Sequence, residues 1–191
     1  MSVRISNNTM EVFNPATGED ITNISMTTLQ ELDSILQTAK AGAENYNYSS
    51  FFHRQKLMTQ LQKGIVRRTD EFIDTICSET GKKPDEGLME VFISLEHIKQ
   101  SSHHLYEALG KRSRRSGILK TRKAWVEYEP MGVAGIISPW NYPLILTVSP
   151  LVEALLAGNT VVLKPSEHTP LTTQLLKRVW DESTERPELF Q

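Results

Sequence analysis

Residues 132–170, GVAGIISPWNYPLILTVSPLVEALLAGNTVVLKPSEHTP, decide the fold that this sequence predicts. Val133 to Ile137 form a short apolar run, which is typical of a buried strand. Leu144 to Ala157 are apolar on most sides, as expected of a helix buried against a sheet, and Gly158-Asn159 is typical of a helix end. Thr160 to Leu163 form a second β-rich run. A crossover of this length joins parallel strands and is almost always right-handed, so we expect a strand, a helix and a second, parallel strand.

Each predicted strand is followed by a loop with a residue that can bind a ligand. Pro139 and Pro143 prevent regular structure around Asn141, and Pro165 does the same directly after Lys164. Asn141 and Lys164 are therefore expected just past the carboxyl ends of neighbouring parallel strands. Open α/β sheets bind their ligands at that edge.

Three motifs carry a resemblance to a known family. They are PWNYP at 139–143, AGNTVVLKPSE at 157–167 and an early NPATGE at 14–19. In order and spacing they resemble the NAD(P)-dependent aldehyde dehydrogenase superfamily, and the resemblance covers the whole chain. It implies an α/β fold like the N-terminal part of an aldehyde dehydrogenase: a helical segment, the start of a Rossmann-like parallel sheet and an oligomerisation strand.

The predicted organisation has four parts. Residues 1–26 are expected to form an N-terminal β-hairpin around a turn that contains Pro and Gly. Residues 27–109 are expected to be helical, and residues 110–129 to be a linker and the oligomerisation strand. Residues 130–191 are expected to be the first βαβα part of the NAD(P)-binding domain, incomplete in this chain.

The helical segment is predicted from end signals and from apolar residues at helical spacing. Thr28 and Glu31 have the spacing of a capping box, and Leu29 and Leu32 begin the apolar stripe of the helix that follows. Gly81 is the expected end of a third helix. From Leu88 to Leu109 apolar residues step by 3 and 4, which indicates a long amphipathic helix.

Composition excludes several classes of protein. The 191 residues include 23% charged and 39% hydrophobic residues with a net charge of −2, which is ordinary for a globular protein. No apolar run approaches the ~20 residues of a membrane span, so no membrane partner is expected. Residues 111–123 are basic but lack interleaved aromatic residues, so a solvated linker is favoured over nucleic-acid binding. The single cysteine suits a reducing compartment, and a cytoplasmic location is expected.

Asn141 is the candidate catalytic residue. Its side-chain amide can donate hydrogen bonds to an oxygen that becomes an anion, and the flanking prolines restrict its backbone. An ordinary turn asparagine is the alternative from the residues alone. The resemblance implies that this amide, together with a backbone N–H, stabilises a thiohemiacetal oxyanion.

Lys164 and Glu167 are the main candidates for cofactor binding. A lysine at a strand end is usually only solvated. The resemblance implies instead that the ammonium and the carboxylate bind hydroxyls of the adenine-side ribose. Because an acid repels a 2′-phosphate, NAD is favoured as the cofactor, with NADP possible. The resemblance also implies that the cofactor site is lined by Ile137, Ser138, Pro139 and Trp140, with Ser166 as a further contact.

Cys77 and the histidines are not expected to carry chemistry. Cys77 follows Ile73 by one turn of an amphipathic helix, which favours a buried structural cysteine over a nucleophile. His97 and His104 lie seven residues apart with no second group of ligands, so no metal site is predicted.

The resemblance implies NAD(P)-dependent oxidation of an aldehyde to a carboxylic acid. Family members are much longer, and their nucleophilic cysteine and catalytic glutamate lie beyond the position of Gln191. The chain is therefore expected to be truncated and inactive by itself. The alternatives are one half of a split enzyme, completed by a separate C-terminal half, and a non-catalytic oligomerisation or interaction module. The expected partners are an aldehyde substrate in the complete enzyme and either a second copy of the chain or the complementary half.

Overall fold

A layer of helices and three small β-sheets make up the parts of the chain that the computed structural model describes, residues 3–6, 8–118 and 120–191. The predicted α/β fold is confirmed. The N-terminal sheet is antiparallel in the order β1-β2-β3, with bounds β1 Val3–Ser6, β2 Thr9–Phe13 and β3 Asp20–Ser25. Strands β2 and β3 form the predicted hairpin. Its turn is closed by Asn14, whose side-chain oxygen accepts the N–H of Ala16 at 2.8 Å. Strand β1 was not predicted, because the first ten residues are polar and lack clear alternation.

Four helices follow, with bounds α1 Leu29–Tyr46, α2 Phe51–Arg67, α3 Thr69–Thr80 and α4 Pro84–Leu109. The capping box of Thr28 and Glu31 is formed, and Gly81 ends α3 in the left-handed conformation at φ 72°. The predicted apolar stripes are wrong at their first residues, because Leu29 and Leu88 are 82% and 51% exposed. Leu29 is the first residue of α1, and Leu88 lies outside the buried face of α4, which runs through Gly87, Glu90 and Val91.

The segment expected to be a linker contains a strand of its own. Arg112–Arg114 form β4, which pairs antiparallel with β5, Ala124–Val126. The predicted alternating strand from Trp125 to Glu129 is therefore shorter than expected and starts one residue earlier. A basic segment can enter an exposed ladder because its side chains stay in water while only its backbone pairs.

The predicted strand, helix and strand are present, with bounds β6 Val133–Ile137, α5 Ile145–Leu156 and β7 Thr160–Lys164. Strands β6 and β7 are parallel, and their register pairs Val133 with Thr160 and Ile137 with Lys164. The two strands therefore end level with each other. Beyond them come α6, Pro170–Thr184, and a short 3₁₀ turn at Pro187–Leu189.

The end of the chain adds the beginning of a third strand to this parallel sheet. The backbone N–H of Gln191 donates to Val161 at 2.8 Å, and the N–H of Leu163 donates back to Gln191 at 2.7 Å. Phe190 forms a parallel bridge with Val161. The sequence had predicted only two strands here, since a single bridging residue has no periodicity to detect.

The core lies between the helical segment and the parallel sheet. Helix α2 packs on α4, α5 and α6, and α1 packs on β7. Burial of each large apolar side chain contributes about 1.5–3 kcal/mol, so this shared core joins the predicted parts. Among its largest buried members are Trp180, Phe72, Met58, Leu61, Leu151 and Leu155. Within the described ranges, none of the helices has the length and hydropathy that crossing a membrane requires.

Candidate active site

Two loops, residues 138–144 and 165–169, lie side by side at the carboxyl ends of β6 and β7. The backbone N–H of Ser138 donates to the carbonyl of Lys164 at 3.1 Å, which links the two strand ends. Further out, the rings of Trp140 and His168 meet edge to face, with centroids 6.4 Å apart. The sheet therefore brings the two predicted groups of site residues to one edge.

Asn141 lies at the outer part of its loop with an exposed side chain. Its neighbours Trp140 and Tyr142 are 58% and 51% exposed, whereas Pro143 is buried. The loop is therefore anchored at its end and open at its middle. An exposed amide at this position is free to donate hydrogen bonds to a bound molecule.

Lys164 and Glu167 form an open pair on the second loop. The Lys164 ammonium lies 3.8 Å from the Glu167 carboxylate, and the two side chains are 65% and 49% exposed. A hydrogen bond from its own backbone N–H lowers the pKa of Glu167, and the charge of Lys164 lowers it further. The loop thus presents a cationic donor and an anionic acceptor to solvent. Such a pair can bind hydroxyl groups, because a hydroxyl accepts a hydrogen bond from the ammonium and donates one to the carboxylate.

The other predicted cofactor residues differ in exposure. Ile137 is 81% exposed, and Pro139 and Trp140 are also exposed. Ser138 and Ser166 are buried, and the Ser166 hydroxyl accepts the N–H of His168 at 3.2 Å, which closes the turn of its loop. The Ser166 side chain therefore shapes its loop, whereas Ile137, Pro139 and Trp140 face the solvent.

Glu90 holds the loop of Asn141 from the helical segment, a role that the sequence did not predict. Its carboxylate on α4 is buried and accepts the backbone N–H groups of Leu144 at 2.8 Å and Ile145 at 3.3 Å. These N–H groups open helix α5, whose N-cap residue is a leucine with no capping side chain. Lys82 completes the arrangement, because its ammonium lies 2.9 Å from Glu90 and 2.7 Å from the carbonyl of Asn141.

Glu79 holds the second loop in the same manner. Its buried carboxylate on α3 accepts the backbone N–H groups of Leu171 and Thr172 and the hydroxyl of Thr172, at the start of α6. Burial raises the pKa of Glu79 to about 7, and these hydrogen bonds oppose the rise. Helix α6 also lacks a local side-chain cap. Both site loops are therefore continued by helices that a buried glutamate of the helical segment caps.

A sequence signal for these glutamates exists but is weak. Glu79 continues the buried stripe of α3 after Phe72 and Ile76, and Glu90 occupies the buried stripe of α4 beside Val91. An acid at a core position requires a hydrogen-bonded partner. The pattern indicates that a partner exists, but only the tertiary structure identifies it.

Cys77 lies on helix α3, as the sequence predicted, but it is only partly buried. It lies between α3 and α4, where its sulfur faces Gly87. Burial raises the pKa of the Cys77 thiol, and the nearby Asp74 and Glu86 raise it further. The thiol is therefore poorly suited to become a nucleophilic thiolate.

A separate cleft of about 300 Å³ lies between the second halves of α4 and α5. At its edge Ser101 donates to Glu153 at 2.6 Å, and His97 lies 3.2 Å from the same carboxylate oxygen. The Nε2 atom of His97 also lies 3.4 Å from the Ser101 hydroxyl, so these three side chains form one hydrogen-bonded group at the edge of the cleft. Across the described ranges, no group of three or more His, Cys, Asp or Glu side chains is arranged to hold a metal ion.

Comparison with known proteins identifies the family. A model of the aldehyde dehydrogenase family matches residues 3–191. The chain belongs to the aldehyde dehydrogenase family. Two relatives of this chain are 2-hydroxymuconic semialdehyde dehydrogenase from Pseudomonas sp. (strain CF600), 33% identical, and the mitochondrial succinate-semialdehyde dehydrogenase of Oryza sativa subsp. japonica, 31% identical. The matches cover 91% and 86% of this chain, and 36% and 31% of those proteins. The chain thus spans about a third of the length of these relatives.

Solved structures agree with the fold of this chain. An oxidoreductase from Marinobacter aquaeolei matches with a TM-score of 0.89 and 26% identity, over 95% of this chain and 38% of that one. The glyceraldehyde-3-phosphate dehydrogenase GapN from Methanocaldococcus jannaschii, complexed with NADP, matches with a TM-score of 0.89 over 98% of this chain and 41% of that one. At 23% identity the second match supports the fold alone.

Proposed function

We propose that this chain supplies the oxyanion amide and one part of the cofactor site for NAD(P)-dependent oxidation of an aldehyde to a carboxylic acid. The observation that carries the proposal is the pair of adjacent loops at one sheet edge. One loop exposes the amide of Asn141, and the other exposes the Lys164–Glu167 pair. Which aldehyde is oxidised depends on residues that line the substrate site, and the relatives act on different semialdehydes by their names.

Asn141 is proposed to stabilise the oxygen of the aldehyde as it becomes negatively charged. When a thiolate adds to the carbonyl carbon, the carbonyl oxygen takes the electron pair and becomes an anion. The Asn141 amide donates a hydrogen bond to that oxygen, and it makes a stronger bond to the anion than to the starting carbonyl. Loss of one such donor typically lowers kcat by about 10²–10³-fold.

Lys164 and Glu167 fit the ribose of a nicotinamide dinucleotide. The ammonium donates to a hydroxyl oxygen and the carboxylate accepts a hydroxyl proton, the task that an acid performs in other dinucleotide sites. Ile137, Ser138, Pro139, Trp140 and Ser166 are proposed to complete this part of the site. The bound dinucleotide supplies the hydride acceptor of the reaction. Because the negative charge of Glu167 disfavours a 2′-phosphate, we propose NAD in preference to NADP.

The proposed reaction needs a thiol that Cys77 does not provide. Cys77 is the single cysteine among the 191 residues, and its raised pKa and its place between two helices oppose attack on a carbonyl. The complete enzyme is therefore this chain together with polypeptide that supplies the thiol, whether in the same chain or in a complementary one.

The hairpin of β4 and β5 presents an exposed apolar surface. Strand β5 and its surroundings expose the large apolar side chains of Trp125 and Tyr128, at 53% and 55%. Exposed aromatic side chains on an edge strand favour pairing with another subunit. We propose that the complete enzyme is a homo-oligomer through this hairpin and works in the cytoplasm.

The cofactor assignment can be tested on the chain by itself. Saturation-transfer NMR detects weak binding, and we expect ADP-ribose at millimolar concentration to receive magnetisation from the chain. Lys164→Met should abolish the transfer, whereas Lys120→Met, a lysine outside the loops, should leave it unchanged. Equal transfer in both variants would contradict the proposed ribose site.

A further inference from the structure

The turn between α3 and α4 reaches the loop that carries Asn141. Helix α3 ends at Thr80 and α4 begins at Pro84, so Lys82 lies in a short connection next to the left-handed Gly81. A short connection between two packed helices has few conformations. The backbone of Lys82 is therefore fixed by the helical segment, and its side chain extends from a rigid base.

The ammonium of Lys82 is enclosed by three groups. It lies 2.9 Å from the Glu90 carboxylate, donates to the Asn141 carbonyl at 2.7 Å and sits 3.9 Å from the ring centre of Tyr142. Only 16% of the Lys82 side chain is exposed. The hydrogen bonds and the cation–π contact leave this lysine little conformational freedom. Its side chain therefore connects the turn between α3 and α4 to the loop of Asn141.

Glu90 divides its carboxylate between this lysine and the start of α5. One oxygen pairs with Lys82, and the other accepts the N–H groups of Leu144 and Ile145. The loop is thus held at Asn141 itself and again three residues later. Both attachments belong to one buried ion pair on the helical segment.

We propose that Lys82 and Glu90 are the positioning residues of Asn141, an inference that rests on the proposed oxyanion role of its amide. Oxyanion stabilisation depends on preorganisation, and a displacement of about 1 Å can cost roughly 10²-fold in rate. The Asn141 side chain is exposed, so its place is set by the backbone that carries it. Lys82 and Glu90 fix that backbone without contacting the reacting atoms.

Hydrogen exchange tests whether Lys82 and Glu90 hold the loop, and it requires no catalytic activity. In the full chain, Lys82→Met and Glu90→Gln keep side-chain size and remove the ion pair. We expect the amides of Leu144 and Ile145 to exchange at least about tenfold faster in both variants, because their acceptor at position 90 loses the ion pair that fixes it. Exchange at Thr172, which Glu79 holds, should not change. Unchanged exchange at residues 144 and 145, or equal acceleration at Thr172, overturns the inference.

Kinetics of the complete enzyme test the link to catalysis. Lys82→Met should lower kcat by about 10- to 100-fold with little change in KM for the cofactor, and Lys82→Arg should recover part of the loss. The matched control is Lys83→Met, because Lys83 is a neighbouring lysine that is exposed. This substitution should leave kcat unchanged. In an Asn141→Ala background, Lys82→Met should not lower kcat any further, since the amide that Lys82 positions is absent.

The outcomes separate this inference from the proposed function. If Asn141→Ala leaves kcat unchanged, the oxyanion role itself fails. If Asn141→Ala lowers kcat but the effect of Lys82→Met is absent or simply adds to it, the oxyanion role stands and the positioning role is wrong.

Discussion

The backbone N–H of Ser138 donates to the carbonyl oxygen of Lys164 at 3.1 Å, so the two strands of the parallel sheet end at the same level. This one hydrogen bond links the first residue after β6 to the last residue of β7. The loops that follow both strands consequently leave the sheet from one edge. The proposed oxyanion donor on one loop and the proposed ribose-binding pair on the other can then serve a single bound cofactor and substrate.

Asn141 and Lys164 should have different kinetic signatures in the complete enzyme. Asn141→Ala is expected to lower kcat by about 10²–10³-fold and to leave KM for NAD nearly unchanged. Lys164→Ala is expected to raise KM for NAD. The ribose that Lys164 is proposed to bind is the same in the ground state and in the transition state, so its loss weakens binding of the cofactor. Steady-state kinetics with both substrates varied will distinguish the two. Asn141→Asp, of equal size but without the N–H donors, should be as impaired as Asn141→Ala. A shared signature for Asn141→Ala and Lys164→Ala contradicts separate roles.

The isolated chain should not reduce NAD or NADP in the presence of any aldehyde. Its single thiol, Cys77, has a pKa raised by burial and by nearby acids, so little thiolate forms near neutral pH. Absorbance at the NADH band over a panel of aldehydes is the measurement. Alkylation of Cys77 by iodoacetamide should also be slower than that of a free thiol. Aldehyde-dependent NADH formation that disappears in Cys77→Ala would prove this wrong.

Stability should fall as pH rises because of Glu79. Its pKa in the folded state is raised to about 7, above the ordinary value of 4.5 for a glutamate, so the folded chain holds the proton more tightly than the unfolded chain. The contribution is complete below about pH 4.5 and is lost as pH rises through 7. A shift of this size corresponds to roughly 3 kcal/mol in the free energy of unfolding. Urea unfolding of wild type and Glu79→Gln from pH 5 to 8 should show the decline only in wild type. Parallel curves would contradict the assignment.

Gly158→Ala should be strongly destabilising. Gly158 has a φ of 92°, and a Cβ atom there would lie 2.6 Å from the guanidinium of Arg54. Arg54 is buried and donates to the carbonyl groups of Asn47 and Leu156, so it has no room to move. Gly132→Ala is the matched control, because Gly132 also has a positive φ but open space around it. We expect about 1–2 kcal/mol from backbone strain in the control and a larger loss for Gly158→Ala, measured by thermal unfolding. Equal losses would mean that Arg54 adapts.

The parallel sheet should be less protected than the long helix in the isolated chain. Within the described residues β6 pairs on one side only, whereas β7 pairs with β6 and also with Gln191. Amides of β6 should therefore exchange fastest, Leu163 more slowly, and residues 91–105 of α4 most slowly. The chain is also expected to be marginally stable and to aggregate. Exchange of 133–137 as slow as that of 91–105, in a monodisperse monomer, would show a self-sufficient domain.

Local sequence signals account for most of the fold. Strands β6 and β7 and helix α5 follow from their apolar runs, the start of α1 from Thr28 and Glu31, and the end of α3 from Gly81. Each of these depends on residues within a few positions of one another, so propensity and spacing suffice. Strands β1 and β4 are short and polar, and their formation depends on the partner strand, which no local pattern reveals.

The sequence by itself determined the family, the strand–helix–strand unit and the place of Asn141 and Lys164 at the sheet edge. Only the tertiary structure decided how those loops are held. Glu90 caps α5 from 54 residues away, Lys82 reaches Asn141 across 59, and Glu79 caps α6 across 93. Neither helix has a capping side chain of its own, so its first N–H groups require an acceptor from elsewhere. The folded core brings those acceptors to them, because it packs the helical segment against the sheet.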